Sequence, residues 1–190
     1  MAFFPMFIDL TGANCLVIGS TDAVLRRSDA LLDFGAKVMV KTKDEFTPGD
    51  IQGCKMVLVD TDDEEINLQI SMMCKDAGIP VNIVGKPNLG TFSFPSYLKE
   101  GNLVGAFSSS GHSNALAKFL VNKEKEVLTP KLGELNEMLG KWKQPIEELF
   151  PQKSAQNSAF EQLIDYALCY DGIPTDEEVE ELLGAISMTL

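Results

Sequence analysis

Residues 14–40 constrain the fold more than any other stretch. NCLVIG, 14–19, is a continuous apolar and β-branched run that reads as a buried strand. Gly19 ends it. Val24, Leu25, Ser28, Leu31 and Leu32 then recur at helical spacing on one face. Gly35 stands where a helix closes in left-handed backbone, and AKVMV, 36–40, is a second strand. Strand, helix and strand of these lengths make one βαβ unit.

The pattern continues. MVLVD, 56–60, is a further buried strand. A helical stretch over 63–77 places Ile66, Ile70 and Met73 on one side, Gly78 ends it, and IPVNIV, 79–84, returns as a strand. Strands alternating with helices predict a parallel α/β sheet. Two strand-like pieces follow, over 91–97 and 103–108. From Ser113 onward the pattern is helical. Leu116, Phe119, Leu120 and Val127 make one face. Leu132, Leu135, Leu139, Trp142, Ile146 and Leu149 form a coiled-coil-like seam. Pro145 predicts a break in that seam or the first turn of a new helix. Ser158 with Glu161 and Thr175 with Glu178 read as capping boxes opening two short helices. Leu163, Ile164 and Ala167 face inward on the first, Val179, Leu182, Leu183 and Ile186 on the second.

The formal net charge of −12 argues against nucleic acid or an anionic membrane as a partner. The four cysteines form no C-x-x-C pair and there is one histidine, so a structural zinc site is not expected. Cys15 and Cys54 read as small buried hydrophobes, and reduced thiols fit a cytoplasmic protein. The apolar start MAFFPMFIDL lacks a basic leader and carries Pro5 and Asp9, so it is not read as a signal peptide. No run reaches the length of a membrane span.

A strand, a glycine turn and a helix start form an anion site, because freed backbone N–H groups and the helix dipole point the same way. The usual dinucleotide fingerprint has a second glycine that lets the pyrophosphate approach the backbone. Here the sequence runs Gly19, Ser20, Thr21, Asp22, Ala23. Thr21 places a β-branched side chain at that point, and Asp22 adds a carboxylate that suits the helix and repels phosphate. A plain structural turn is the competing reading.

Several motifs in series carry a family resemblance. FFPMFIDLTGANCLVIG resembles (Y/F)-(F/L)-P-(I/M)-F-x-(D/N)-L-x-G…C-L-V-V-G. Thr61-Asp62-Asp63 with Asn67 resembles A-T-D-D-x-x-x-N. Asn82-Ile83-Val84 resembles N-V-V, and Phe92-Ser93-Phe94-Pro95 resembles F-I-(F/M)-P. Ser108 to Ser113 resembles S-(S/T)-G-G-x-S, followed by Leu116-Ala117-Lys118. Together they resemble the N-terminal module of siroheme synthase, the precorrin-2 dehydrogenase and sirohydrochlorin ferrochelatase family.

The resemblance implies a Rossmann-like parallel sheet, here shortened, over 1–112, a helical dimerisation segment over 113–145 and a C-terminal helical part over 146–190. It implies a homodimer with no nucleic-acid or membrane partner, NAD as cofactor and precorrin-2 as the tetrapyrrole substrate. For ferrochelatase activity it also implies a divalent metal substrate, iron first. The tetrapyrrole is expected between the Rossmann part and the helical region. The resemblance assigns the dinucleotide to Gly19, Ser20, Thr21, Asp22, Ala23, Lys43, Asp44, Thr61 and Asp62. It places Ser109 at a serine near the tetrapyrrole site; His112 replaces a small residue in the same loop and is the second catalytic candidate. A neutral imidazole at His112 would also ligate the metal or shuttle protons. Locally, His112 also reads as a loop histidine with hydrogen-bond partners nearby, Ser113 as a helix N-cap, and Asp62 and Asp63 as an N-cap pair.

Three departures from the family pattern fall on the dinucleotide side. The turn is Gly-Ser-Thr rather than Gly-Gly-Gly. Gly85 stands where the family carries an acid/base aspartate, and glycine moves no proton. Only Lys41 to Gly49 separate the second strand from Asp50, too few for the family's additional helix and strand. Two readings therefore stand beside the dehydrogenase: an NAD-independent chelatase, and a non-catalytic tetrapyrrole-binding homologue.

Overall fold

The computed structural model describes residues 3–169 and 172–188, which form two compact units. The first unit takes residues 1–95 and 108–114, the second 96–107 and 115–190.

In the first unit, β1 (Asn14–Gly19) leads through the glycine turn into α1 (Asp22–Asp33), then β2 (Lys37–Lys41). β3 (Met56–Asp60), α2 (Glu64–Asp76) and β4 (Val81–Ile83) complete a four-stranded parallel sheet of order β2-β1-β3-β4. The α/β Rossmann-like expectation holds. The chain passes from β2 to the far side of β1 with only a 3-10 turn, Pro48–Ile51, between. Lys41 pairs with Asp50 at 2.7 Å across that short connection.

Strand periodicity sorts the sheet's two faces. Leu16, Ile18, Val57, Val59, Val81 and Ile83 pack against Ile70 and Cys74 of α2. Cys15, Val17, Met56 and Leu58 pack against Val24 and Leu31 of α1. The buried face of α1 is narrower than the sequence pattern predicts: Val24, Ser28 and Leu31 are buried, Leu25 and Leu32 exposed. Ala30, also buried, turns the contact toward one side. Gly35 closes α1 with φ +79, as expected of a C′ glycine. Cys15 is buried as expected. Cys54 is only partly so, its thiol donating to the Asp50 carbonyl at 3.2 Å. Burial, more than the neighbouring Cys54, pushes the Cys74 thiol up to about 11.

The second unit opens with an antiparallel pair, β5 (Ser96–Glu100) and β6 (Leu103–Phe107). The strand-like reading of 91–97 starts too early. Pro95 has no N–H for a ladder, and pairing begins at Ser96. Four helices follow: α3 (Asn114–Glu124), α4 (Pro130–Leu149), α5 (Lys153–Cys169) and α6 (Asp176–Ser187). Pro145 does not break α4. Trp142, Ile146 and Phe150 on either side of it are buried with Leu163 of α5 and Val179 and Leu183 of α6, and that packing holds the helix through the proline. The seam is thus covered from within the unit, except at exposed Leu149.

The Thr175–Glu178 capping box opens α6 as predicted, with Thr175 N donating to Glu178 Oε2 at 2.8 Å. Ser158 is different. It lies inside α5, where its hydroxyl accepts from Gln162 Nε2 at 3.3 Å. Buried Gln156, donating from Nε2 to the Phe150 carbonyl at 2.9 Å, anchors the turns before it. Among the described residues no helix is long and apolar enough to cross a membrane.

Candidate functional site

The C-terminal edge of the parallel sheet gathers most of the residues that the sequence singles out. Register places Gly19 beside Asp60 of β3. Gly19 has φ +130, and a Cβ there would run into the Asp60 carbonyl, so only glycine fits between the two strands. Ser20 is exposed beyond it. Thr21 is the N-cap of α1: its Oγ1 accepts from Val24 N at 3.3 Å. The same hydroxyl donates to Asp60 Oδ2. Asp22 and Ala23 form the first turn of α1.

Asp60 is the residue that sequence reasoning missed. It occupies the alanine position of the A-T-D-D motif, and that mismatch is the signal that could have found it. Behind it lies Arg27, half-buried on α1. Its Nη1 donates to Asn82 Oδ1 at 2.6 Å, and its guanidinium sits 5.3 Å from the Phe94 ring centroid. Burial lowers the Arg27 pKa, and the Asp60 charge acts in the opposite direction. Asn82 Nδ2 donates to the Phe92 carbonyl at 2.9 Å. The N-V-V asparagine therefore joins α1 to the segment carrying the two phenylalanines.

Thr61 and Asp62 follow Asp60. Thr61 works within its own turn: its Oγ1 lies 2.7 Å from Asn67 Oδ1, and Asn67 Nδ2 donates to the Thr61 carbonyl at 3.1 Å. Buried Asn67 thus explains the spacing of the motif. Asp63 caps α2, accepting from Glu65 N at 3.0 Å and Ile66 N at 3.1 Å. Asp62 leaves this turn and meets Lys43 at 2.7 Å. The hydrogen bond from Lys43, then its charge, lowers the Asp62 pKa, and the same bond raises that of Lys43. Asp44 is exposed beside them.

A dinucleotide pyrophosphate at this edge would face the Asp60 carboxylate as the side chains stand. The N-cap hydroxyl is engaged by a carboxylate, and a bound phosphate would meet that carboxylate's charge at short range. Gly85, just past β4, has φ +74 and open space around its missing Cβ, so it offers backbone and no acid or base.

The second motif-bearing turn in this unit is the Ser108–Ser113 loop. Ser109 Oγ accepts from Ser113 N at 3.0 Å, and Ser108 Oγ from Ser110 N at 3.2 Å. Ser110, at a glycine position of the motif, has φ +53, and Gly111 has φ +85 against Pro87. His112 N donates to the Ser109 carbonyl at 3.0 Å, and the residue is exposed. Among the described residues no three histidine, cysteine, aspartate or glutamate side chains gather in a way that could hold a metal ion, so the structure brings no such set to His112.

The family model described as "Putative NAD(P)-binding" matches residues 6–96. A siroheme synthase of Pseudomonas paraeruginosa is 29% identical over 182 residues, covering 86% of this chain and 39% of its own length. A siroheme synthase of Ectopseudomonas mendocina is 29% identical across 100% of this chain and 46% of its own. The chain thus spans less than half the length of these relatives. The solved structure of "SirC, precorrin-2 dehydrogenase" is similar with a TM-score of 0.67 at 20% identity, covering 98% of this chain and 100% of that one. The sheet, the antiparallel pair and the helices that follow are the fold of that structure, and the chain is similar to siroheme synthases along its whole length.

Proposed function

We propose that the chain acts in siroheme-type tetrapyrrole synthesis, oxidising precorrin-2 to sirohydrochlorin. The carrying observation is that likeness to siroheme synthases extends over the whole chain, through both units. Incubation with precorrin-2 and NAD, followed by the sirohydrochlorin spectrum, tests it. Formation of sirohydrochlorin in step with reduced NAD is expected. Its absence at every NAD concentration defeats the reading.

A specific observation favours a second reading, metal insertion or tetrapyrrole holding without NAD: Gly85 brings no proton-transfer group, and Thr21 is held by Asp60. In that case the chemistry falls to Ser109, whose hydroxyl keeps its hydrogen to donate, and to His112, whose imidazole is exposed to a metal substrate such as iron. Metal insertion without NAD, reduced in Ser109→Ala and His112→Ala, is the expected result. Unchanged rates in both variants remove those residues from the mechanism.

The homodimer belongs to the same proposal. The face that the sequence marks on α3 is not buried within the chain: Leu116 and Phe119 are each 55% exposed, whereas Ala117 and Val121 point inward. A second copy covering that face accounts for it. Light scattering is expected to give twice the chain mass, reduced to one by Phe119→Glu. A monomeric wild type defeats the dimer.

A further inference from the structure

We propose that Asp60 sets dinucleotide occupancy of the parallel-sheet unit. Its carboxylate is an internal anion at the start of α1, and a pyrophosphate gains the turn only when Asp60 leaves Thr21. The inference rests on the reading that this unit is of the dinucleotide-binding type, and it concerns affinity rather than the reaction.

Three observations point the same way. First, the β1–β3 register fixes Asp60 next to Gly19, at the point where the strand hands over to the helix. Successive side chains of β3 alternate between faces, so Asp60 shares the α1 side with Leu58. Second, the Asp60 carboxylate takes the hydroxyl hydrogen of Thr21, while the same Thr21 oxygen caps Val24 N. The helix start therefore already has an anion bound through its N-cap, the same chemistry that a phosphate oxygen would bring. Third, Lys43 beyond β2 and Asp62 beyond β3 pair at 2.7 Å. Those two strands flank β1, so their ion pair bridges the ends of the sheet around the Gly19 turn. It holds the nearby ammonium on a protein carboxylate. Arg27 acts on Asp60 through its charge and not through a hydrogen bond, since its guanidinium is directed to Asn82 and Phe94, so the Thr21 hydroxyl remains the carboxylate's hydrogen-bond partner.

Calorimetric titration of NAD into the full chain and into Asp60→Asn, Asp60→Ala and Asp60→Glu tests this. The two neutral variants are expected to bind at least about tenfold more tightly than wild type, about 1.4 kcal/mol, and Asp60→Glu to stay weak. Asparagine is close in shape and still accepts the Thr21 hydrogen, so it preserves the local fold. Equal affinity in wild type and both neutral variants, or weaker binding in both, overturns the proposal.

A measurement on wild type alone decides the matter should the variants unfold. Inorganic pyrophosphate followed by the amide signals of Asp22 and Ala23 is expected to saturate only in the millimolar range, and saturation at low micromolar concentration overturns the proposal. Sirohydrochlorin formation is scored separately. Tighter NAD binding in Asp60→Asn with no sirohydrochlorin keeps this inference and defeats the dehydrogenase. Sirohydrochlorin formation with equal affinities does the reverse.

Discussion

Two turns of the first unit carry departures from glycine-rich motifs, and they accommodate them in opposite ways. At the start of α1 the glycine that geometry demands is kept. Gly19 lies against the Asp60 carbonyl, and the change falls on the ligand-facing side, where Thr21 and Asp60 bond to each other. In the Ser108–Ser113 loop the geometry is kept but the glycine is not: Ser110 holds left-handed backbone at φ +53. There Ser108 and Ser109 supply oxygens to the N–H groups of Ser110 and Ser113. Both turns thus hold positive-φ backbone, at Gly19 in one and at Ser110 and Gly111 in the other. In both, the protein's own oxygens take up hydrogen-bonding capacity that such turns can offer to a ligand.

The largest expected effect separates the two turns. Gly19→Ala is expected to destabilise the protein by about 3 kcal/mol or more, combining positive-φ strain with a clash against backbone. Ser110→Ala in the other loop is expected to change stability by less than about 1 kcal/mol, because the left-handed residue there is already not glycine. Urea denaturation of both variants checks the pair. If Gly19→Ala costs no more than Ser110→Ala, β1 and β3 are not held as closely as the register indicates.

Next is Thr21→Ala, expected to cost about 1 kcal/mol through loss of the α1 cap. The same change leaves Asp60 without its hydroxyl partner. A melting temperature equal to wild type would mean that the Thr21–Asp60 contact does not hold the turn, and the contrast between the loops would lose its first half. Ser110→Gly works in the opposite direction. Relief of left-handed strain, about 1 to 2 kcal/mol, outweighs glycine's extra freedom in the unfolded chain, about 0.5 to 1 kcal/mol. A net stabilisation of about 0.5 kcal/mol is expected from these terms. A loss of stability would show that Ser110 contributes something its backbone does not.

These turns also show where sequence reading succeeds. The β1–α1–β2 unit, the capped α2 and the Thr175 box are legible because each is set by neighbours a few residues apart: an apolar run, a helical repeat, a cap and its third residue. The misreadings need partners distant in the chain. Pro145 continues α4 because α5 and α6 bury the residues around it. Ser158 is the local exception: α5 already begins at Lys153, and Gln156 ties its first turns to Phe150 six residues back. The apolar α3 face is no misreading: the sequence marks it as one face, and its side chains are exposed within the chain. At the site, Thr21, Lys43 and Asp62 are recognisable from sequence. Asp60 and Arg27 emerge only once sheet register and helix packing put them beside Thr21 and Asn82. Periodicity carries no register between strands, so Arg27 had no local signal, and the motif mismatch at Asp60 could mark the residue without naming its partner.

The smallest effect concerns the Lys43–Asp62 pair, which has no counterpart among the contacts of the serine loop described above. The hydrogen bond from Lys43, then its charge, lowers the Asp62 pKa, so this carboxylate favours the folded state above its unfolded pKa, about 3.9. That contribution fades as pH falls through the lower folded value. For Lys43, whose pKa is raised, the contribution is complete below the unfolded value, about 10.4, and fades as pH rises through the folded one. The pair is therefore intact throughout the neutral range, and its exposed position makes its weight in overall stability small. Site-resolved titration detects it where melting curves do not. In Lys43→Ala the Asp62 midpoint is expected to move up toward the ordinary aspartate value, with Asp176, held low by Lys141 in the other unit, unchanged as the internal control. An Asp62 midpoint that stays in place would mean that the pair does not form in solution. The resistance of the turn to a dinucleotide would then rest on the Asp60 carboxylate alone.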